Sequence, residues 1–293
     1  MKISTSLSHA MKIEGVSARE SARMMKLAGF DGVDLSLCRD MLEPEKMLSP
    51  EWAQAAYDQA EALKAEGLEI AQCHLPYYGG HLALPGDGSI GAFIDMFGES
   101  WANAIEVAGR IGCPVAVMHP FFDMNAEAEV TYEGNVKLIE RLMPAMKKWN
   151  VKLALENCYG HNGTYVDGHA ARPEDIMEVL RRTDEEYVGA CIDTGHANIF
   201  RIHIGNMARM YGKRLIALHV NGNAGGDSHA IPYSISTWTE QMDYHDFSAA
   251  LKEIGYKGSY NLEVDVGRLP KGCGQAYLNF AAAVARGLSD LAE

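Results

Sequence analysis

Short apolar runs that end in a histidine or a carboxylate, each followed by a helical stretch, recur along this chain and restrict its fold more than anything in its composition. Val188 and Ala190 lead into Cys191-Ile192-Asp193-Thr194-Gly195-His196. Strand side chains alternate between faces, so Asp193 shares a face with Cys191. Gly195 is expected to break the strand and let His196 fold back toward the same end. One Asp-x-x-His reads best as a strand end and a turn; repetition changes that reading. Runs over 69–76, 114–120, 151–157, 215–220 and 259–265 carry His74, His119, Glu156, His219 and Glu263. In the 151–157 run, Leu153 and Leu155 face one way and Ala154 and Glu156 the other, a greasy face for helices and a small residue, then an acid, inside.

With 2–8 and 32–37 these runs make eight expected strands. Helices are expected over 17–28, 50–66, 90–111, 132–149, 173–182, 244–254 and 275–291, several opened by Ser or Pro and closed by Gly. Strands alternating with helices imply a parallel α/β sheet, and eight units closing on themselves make a (β/α)8 TIM barrel. An open doubly wound sheet is the rival, but no G-x-G-x-x-G follows the first strand. A barrel also gathers residues from many strand ends into one mouth. The chain has 293 residues and no Pro/Ser-rich spacer or charge block, so one barrel domain over 1–293 is expected.

Lys plus Arg number 26 and Asp plus Glu 39, a net charge of −13, which disfavours extended binding to nucleic acid and attracts cations. The six cysteines are scattered without a C-x-x-C pair and read as reduced, mostly buried thiols. The start lacks a charged and then apolar leader, and no apolar run approaches a membrane span, so a cytoplasmic protein without a membrane partner is expected. The long 221–241 connection reads as a lid or binding loop. The oligomeric state stays open, a homo-oligomer included.

The strand ends present His74, His119, Glu156, Asp193, His219 and Glu263, with His196, Asp227 and His229 in loops directly behind strands six and seven. Singly, each could be an interior histidine, an exposed loop residue or half an ion pair. Together, buried carboxylates with few Lys or Arg nearby repel one another unless a cation or protons neutralise them. Two Glu, one Asp and one His suit Mn2+, Mg2+ or Co2+, whereas the further histidines would draw Zn2+.

Leu155-Glu156-Asn157, Ile192-Asp193-Thr194-Gly195-His196, Leu218-His219-Val220-Asn221 and Leu262-Glu263 resemble, in order, the strand-five to strand-eight motifs of the xylose-isomerase-like barrel superfamily. That superfamily includes sugar isomerases, ketose 3-epimerases, inosose-pathway enzymes and class II apurinic endonucleases. The resemblance implies a divalent metal on Glu156, Asp193, His219 and Glu263, with Glu156 and Glu263 as catalytic groups moving a proton through a metal-stabilised enediolate. His196, and with it His74 and His119, would contact substrate. Arg201, Arg268 and Lys271 lie in loops behind strands six and eight, Arg268 being the candidate to hold a substrate phosphate and solvation the alternative. Motifs similar to those of the endonucleases imply that His74, His119, His196, Asp227 and His229 could take a second metal, zinc included. The chain departs from the epimerases at Asn221-Gly222-Asn223-Ala224-Gly225-Gly226, where they carry an arginine. The favoured activity is isomerisation or epimerisation of a small sugar, sugar phosphate or inositol derivative. A multi-metal phosphodiester hydrolase and a non-catalytic carbohydrate sensor are the alternatives.

Overall fold

The structure, a computed structural model, describes residues 1–6, 15–77, 90–121, 126–161, 164–235, 242–265 and 269–293. Its centre is eight parallel strands: β1 (Ile3–Ser6), β2 (Gly32–Ser36), β3 (Glu69–His74), β4 (Val115–Met118), β5 (Lys152–Glu156), β6 (Val188–Asp193), β7 (Leu215–His219) and β8 (Tyr260–Leu262). They are ordered β8-β1-β2-β3-β4-β5-β6-β7. Val220, just beyond β7, pairs in parallel with Leu262. Its N–H donates to Asn261 O at 2.9 Å and its carbonyl accepts from Glu263 N at 3.1 Å, which joins the two edges. This is the (β/α)8 barrel, not the open doubly wound sheet.

Around it lie α1 (Ala18–Ala28), α2 (Pro50–Ala65), α3 (Ile90–Arg110), α4 (Ala128–Trp149), α5 (Pro173–Arg181), α6 (Ile204–Tyr211), α7 (Tyr244–Ile254) and α8 (Lys271–Leu291). The caps legible in sequence hold. Ser17 and Ser49 accept the N–H groups of Glu20 and Trp52, and Gly29 ends α1 in the left-handed region at φ 102°. Other boundaries differ from expectation: α4 starts at Ala128 and α8 at Lys271. A helical turn, Thr194–Ile199, and α6 fill the stretch between β6 and β7 to which the sequence assigned no helix. The loop after β5 contains a small antiparallel hairpin, Gly160–His161 with Tyr165–Val166.

The alternation expected for β5 is present. Leu153 and Leu155 join the main core between strands and helices. Each such fully buried leucine contributes about 1.5–3 kcal/mol. Ala154 instead meets Val117, Cys191 and Ala217 in a separate small layer inside the barrel. Two register shifts aim the functional ends. Between β2 and β3 the pairing steps from Val33↔Ile70 to Asp34↔Gln72, and between β6 and β7 from Ala190↔Leu215 to Cys191↔Ala217. Each extra residue re-aims the side chains beyond it, as bulges do. Asp34 therefore lies beside Gln72, and Asp193 beside His219. All six cysteines are free, four of them buried. No described helix is long and apolar enough to cross a membrane.

Candidate metal centre

Glu156, Asp193, His219 and Glu263 end or follow β5, β6, β7 and β8, and each offers a ligand atom within 4.8 Å of those of the other three. Atoms held 2.0–2.2 Å from a common ion stand at most about 4.4 Å apart, so a small contraction completes a coordination shell. His219 Nδ1 lies 3.0 Å from Glu156 Oε2 and 3.2 Å from Glu263 Oε2. Despite that proximity, Glu156 Oε1 and Oε2, His219 Nδ1 and Glu263 Oε2 are buried without an aligned hydrogen-bond partner. Such orphaned atoms are costly unless something pairs with them, and a divalent cation fits this set of donors. Among the described residues, every recorded ionic partner of Glu156, Asp193 and Glu263 is a histidine.

Asparagines and one threonine lock the strand ends together. Asn157 donates to Asp193 O at 2.9 Å and accepts from Asp193 N at 2.8 Å, tying β5 to β6. Thr194 Oγ1 donates to Asn221 O and accepts from Asn221 N, tying β6 to the end of β7. Asn221 Nδ2 donates to Asp193 Oδ2 at 2.8 Å. Asp193 Oδ1 accepts from His196 N at 2.6 Å and caps the Thr194–Ile199 turn. His196 is thus a helical residue rather than a loop residue. Gly195 serves close approach rather than strand breaking: a Cβ there would stand 1.9 Å from Asn221 Oδ1.

The five further residues reach the same mouth but divide into two groups. His74 Nε2 and His119 Nε2 are 3.0 Å apart, and 3.6 and 3.5 Å from Glu156 Oε2. On the other side, His196, His229 and Asp193 offer ligand atoms within 4.8 Å of one another. Asp227 lies 2.6 Å from His229 Nε2 and 3.6 Å from His196 Nε2. The sequence grouped all five as one possible second site; in the structure His74 and His119 gather at Glu156 Oε2 and His196, Asp227 and His229 gather with one another, the His119 and His196 ring centroids being 6.4 Å apart. Asp227 and His229 arrive through an antiparallel bridge, Gly222↔Ala230, which folds the first part of the 221–241 connection back over the mouth. Residues 236–241 lie outside the described residues, as does Arg268. Arg201 and Lys271 are exposed, and Lys271 pairs with Glu20.

The electrostatics are those of carboxylates balanced by protons. Burial opposes ionisation of Glu156, but the His219 and His119 imidazoles outweigh it and hold the carboxyl well below its usual range. Burial dominates at Glu263 and, with Glu156 and Asp193 nearby, pushes it up to about 7 against the pull of His219 and His229. Burial also opposes charge on His196, where Asp193 and Asp227 prevail and raise its pKa well above the usual value. His229 is pushed up to about 9, burial being outweighed by Glu263 and Asp227. His119, unlike His74, His196, His219 and His229, is lowered, by burial. Cys158 lies against His196, and burial pushes its thiol up to about 12, so it is neutral.

Three residues carry parts of the site that sequence reasoning did not single out. Tyr159 donates from its hydroxyl to Asp227. Tyr165 in the small hairpin accepts from Asp227 N at 3.0 Å. Asp34 sits under His219 with its Oδ2 2.9 Å from Nε2. Asp34 had a readable signal: Val33 and Leu35 flank it in Gly32-Val33-Asp34-Leu35-Ser36, leaving one acid on the inner face.

A family model of xylose isomerase-like TIM barrels matches residues 22–280. The chain belongs to that family. Relatives of this xylose isomerase-like barrel include the uncharacterized proteins MJ1311 of Methanocaldococcus jannaschii and y4fM of Sinorhizobium fredii. MJ1311 is 25% identical over 56% of this chain and 55% of its own length. y4fM is 25% identical over 58% and 53%. The chain thus spans about half the length of the curated relatives it matches. Among solved structures, this barrel is similar to L-ribulose 3-epimerase, with a TM-score of 0.75, 14% identity and coverage of 100% of this chain and 96% of that one. D-psicose 3-epimerase of Clostridium cellulolyticum, with D-tagatose, gives 0.73 at 15% identity over all of both chains. The 3-keto-D-glucoside 4-epimerase of E. coli gives 0.67 at 16% identity over 92% and 94%. At these identities the likeness is one of fold.

Proposed function

We infer that this chain is a divalent-metal-dependent isomerase or epimerase of a small carbohydrate: a sugar, sugar phosphate or inositol derivative. Glu156, Asp193, His219 and Glu263 would hold the cation, with Mn2+, Mg2+ or Co2+ matching the oxygen-rich donors. One observation carries the reading: two glutamates delivered by strands three places apart flank His219 Nδ1, at 3.0 and 3.2 Å. Two carboxyl groups placed on either side of one centre can serve as base and acid in turn. When bound, the cation supplies Lewis-acid polarisation of a carbonyl oxygen. Glu156, held as the carboxylate, accepts a proton from the adjacent carbon at Oε1. Glu263, on a strand three places away around the barrel, returns a proton to the opposite face, which inverts the centre. His196 would steady a substrate hydroxyl, with His74 and His119 on the other flank. The similar fold of three sugar epimerases supports the choice of carbohydrate over other carbonyl substrates.

A second reading, a multi-metal phosphodiester hydrolase, is favoured by charge and grouping. Five carboxylates (Asp34, Glu156, Asp193, Asp227 and Glu263) converge on or under the mouth. One divalent cation neutralises two of them and leaves three, enough charge to hold a further cation at His74/His119 or at His196/His229. The deciding experiment incubates metal-loaded enzyme with ketoses and inososes in D2O. Deuterium is expected at the carbon next to the carbonyl, and its incorporation should be lost in Glu156→Gln and Glu263→Gln. Cleavage of an abasic-site oligonucleotide that is lost in Glu263→Gln, with no exchange into any sugar, replaces the first reading by the second.

A further inference from the structure

Beneath the mouth, a chain of donors runs in one direction. Ser259 Oγ donates to Ser4 Oγ at 2.7 Å, and Ser4 Oγ to Asn261 Oδ1 at 2.8 Å. That fixes the Asn261 amide with its Nδ2 toward Asp34 Oδ2, at 3.3 Å. Gln72 is fixed likewise, its Nε2 donating both to Leu218 O at 3.2 Å and to Asp34 Oδ2 at 2.8 Å. His219 Nε2 completes the set at 2.9 Å. Asp34 Oδ2 thus faces three donors drawn from β3, β7 and β8. Asp34 is 3% exposed and its Oδ1 has no hydrogen-bond partner. An oxygen ringed by donors must accept, so the proton of the His219 ring nitrogen facing it belongs on Nε2. The other nitrogen, Nδ1, is then the one turned between Glu156 and Glu263.

We propose that Asp34 is a positioning residue for the metal centre, fixing the ring angle and tautomer of His219 so that Nδ1 is the nitrogen presented to the cation. This rests on the metal centre inferred above, but not on which reaction it performs. The β2–β3 bulge is what places Asp34 there: without the step after Val33↔Ile70, Asp34 would not share its level with Gln72. Outer partners of ligating histidines orient the ring, and their loss typically costs about 10- to 100-fold in metal affinity. Asp34→Asn keeps an oxygen for the three donors and removes the charge. Asp34→Ala removes the acceptor altogether.

The test is Mn2+ titration by calorimetry of wild type, Asp34→Asn, Asp34→Ala and Asp193→Asn, with 15N NMR of the ring nitrogens in the zinc-loaded wild type. Wild type is expected to bind, Asp34→Asn to weaken by less than about 10-fold and Asp34→Ala by about 10- to 100-fold. The His219 ring should show a protonated Nε2 and a metal-bound Nδ1. Equal affinity in wild type and both Asp34 variants, or an Nε2-bound metal, overturns the positioning role while leaving the centre standing. No binding by wild type overturns the centre and the proposal together. The wild-type spectrum still decides the question where Asp34→Ala does not fold.

Discussion

Replacing Glu263 by Gln separates what this side chain costs the fold from what it contributes to the site. In metal-free protein at pH 8 the variant is expected to be more stable than wild type. Glu156 Oε2 and Glu263 Oε2 lie 3.0 and 3.2 Å from the same atom, His219 Nδ1. They are therefore at most about 6 Å apart, where two charges at an effective dielectric near 20 repel by about 3 kcal/mol. The displaced pKa gives a similar figure: charging a carboxyl that the site pushes from 4.5 to about 7 costs on the order of 3 kcal/mol. Glutamine has the same shape and no charge, so a gain of roughly 2–3 kcal/mol is expected, several degrees in Tm. The sign with pH follows from linkage. A group whose pKa is raised by folding contributes stability that is full below its unfolded value, near 4.5, and lost as pH rises through about 7. The two proteins should converge as pH falls toward 4.5, part as pH rises from there to about 7, and differ by a constant margin above that. Saturating Mn2+ reverses the order, since wild type gains about 4 kcal/mol at a thousand times Kd and the variant, lacking a ligand, gains less. Urea denaturation from pH 5 to 8, with chelator and with Mn2+, reads all of this. A chelated variant less stable than wild type at pH 8, by a margin independent of pH, refutes the reasoning.

Three further outcomes are expected from the same geometry. Gly195→Ala should lower stability by roughly 2–4 kcal/mol and weaken Mn2+ binding, because its Cβ would displace the Asn221 amide that holds Asp193; unchanged urea and Mn2+ titrations would remove that role. Mn2+ affinity should rise with pH between 6 and 8 as Glu263 gives up its proton near 7, with proton release visible in calorimetry across buffers of different ionisation enthalpy. A flat profile contradicts the assignment. Under zinc excess, His119→Ala and His229→Ala should each lower the bound zinc without emptying the tetrad, since the two histidines lie in separate groups; unchanged zinc in both would return them to substrate binding.

Strand identity was legible because the inner and outer faces of each strand differ in chemistry: Leu153 and Leu155 against Ala154 and Glu156 fix both the period and the direction of the acid. That Glu156, Asp193, His219 and Glu263 would meet was legible because they stand at the ends of such runs, while singling out these four from the six strand-end residues came from the family resemblance. The Thr194–Ile199 turn was not, since its sequence holds a glycine and no apolar stripe, and it forms because Asp193 caps it and Asn221 closes over Gly195. α6 was missed for a related reason: eight residues are too few for periodicity to announce. Asp34 could be placed on an inner face, but its partner His219 is 185 residues away, a pairing that only the closed barrel and its bulges create. Where His74, His119, His196, Asp227 and His229 stand around Glu156 likewise depends on how the closed barrel and the Gly222–Ala230 bridge deliver them.

Anomalous diffraction at the manganese edge from Mn2+-soaked crystals tests the central claim most directly. One strong peak is predicted about 2.0–2.3 Å from Glu156, Asp193, His219 Nδ1 and Glu263. Well-ordered side chains at these four positions with no peak between them, at a Mn2+ concentration that saturates other sites in the crystal, would contradict it.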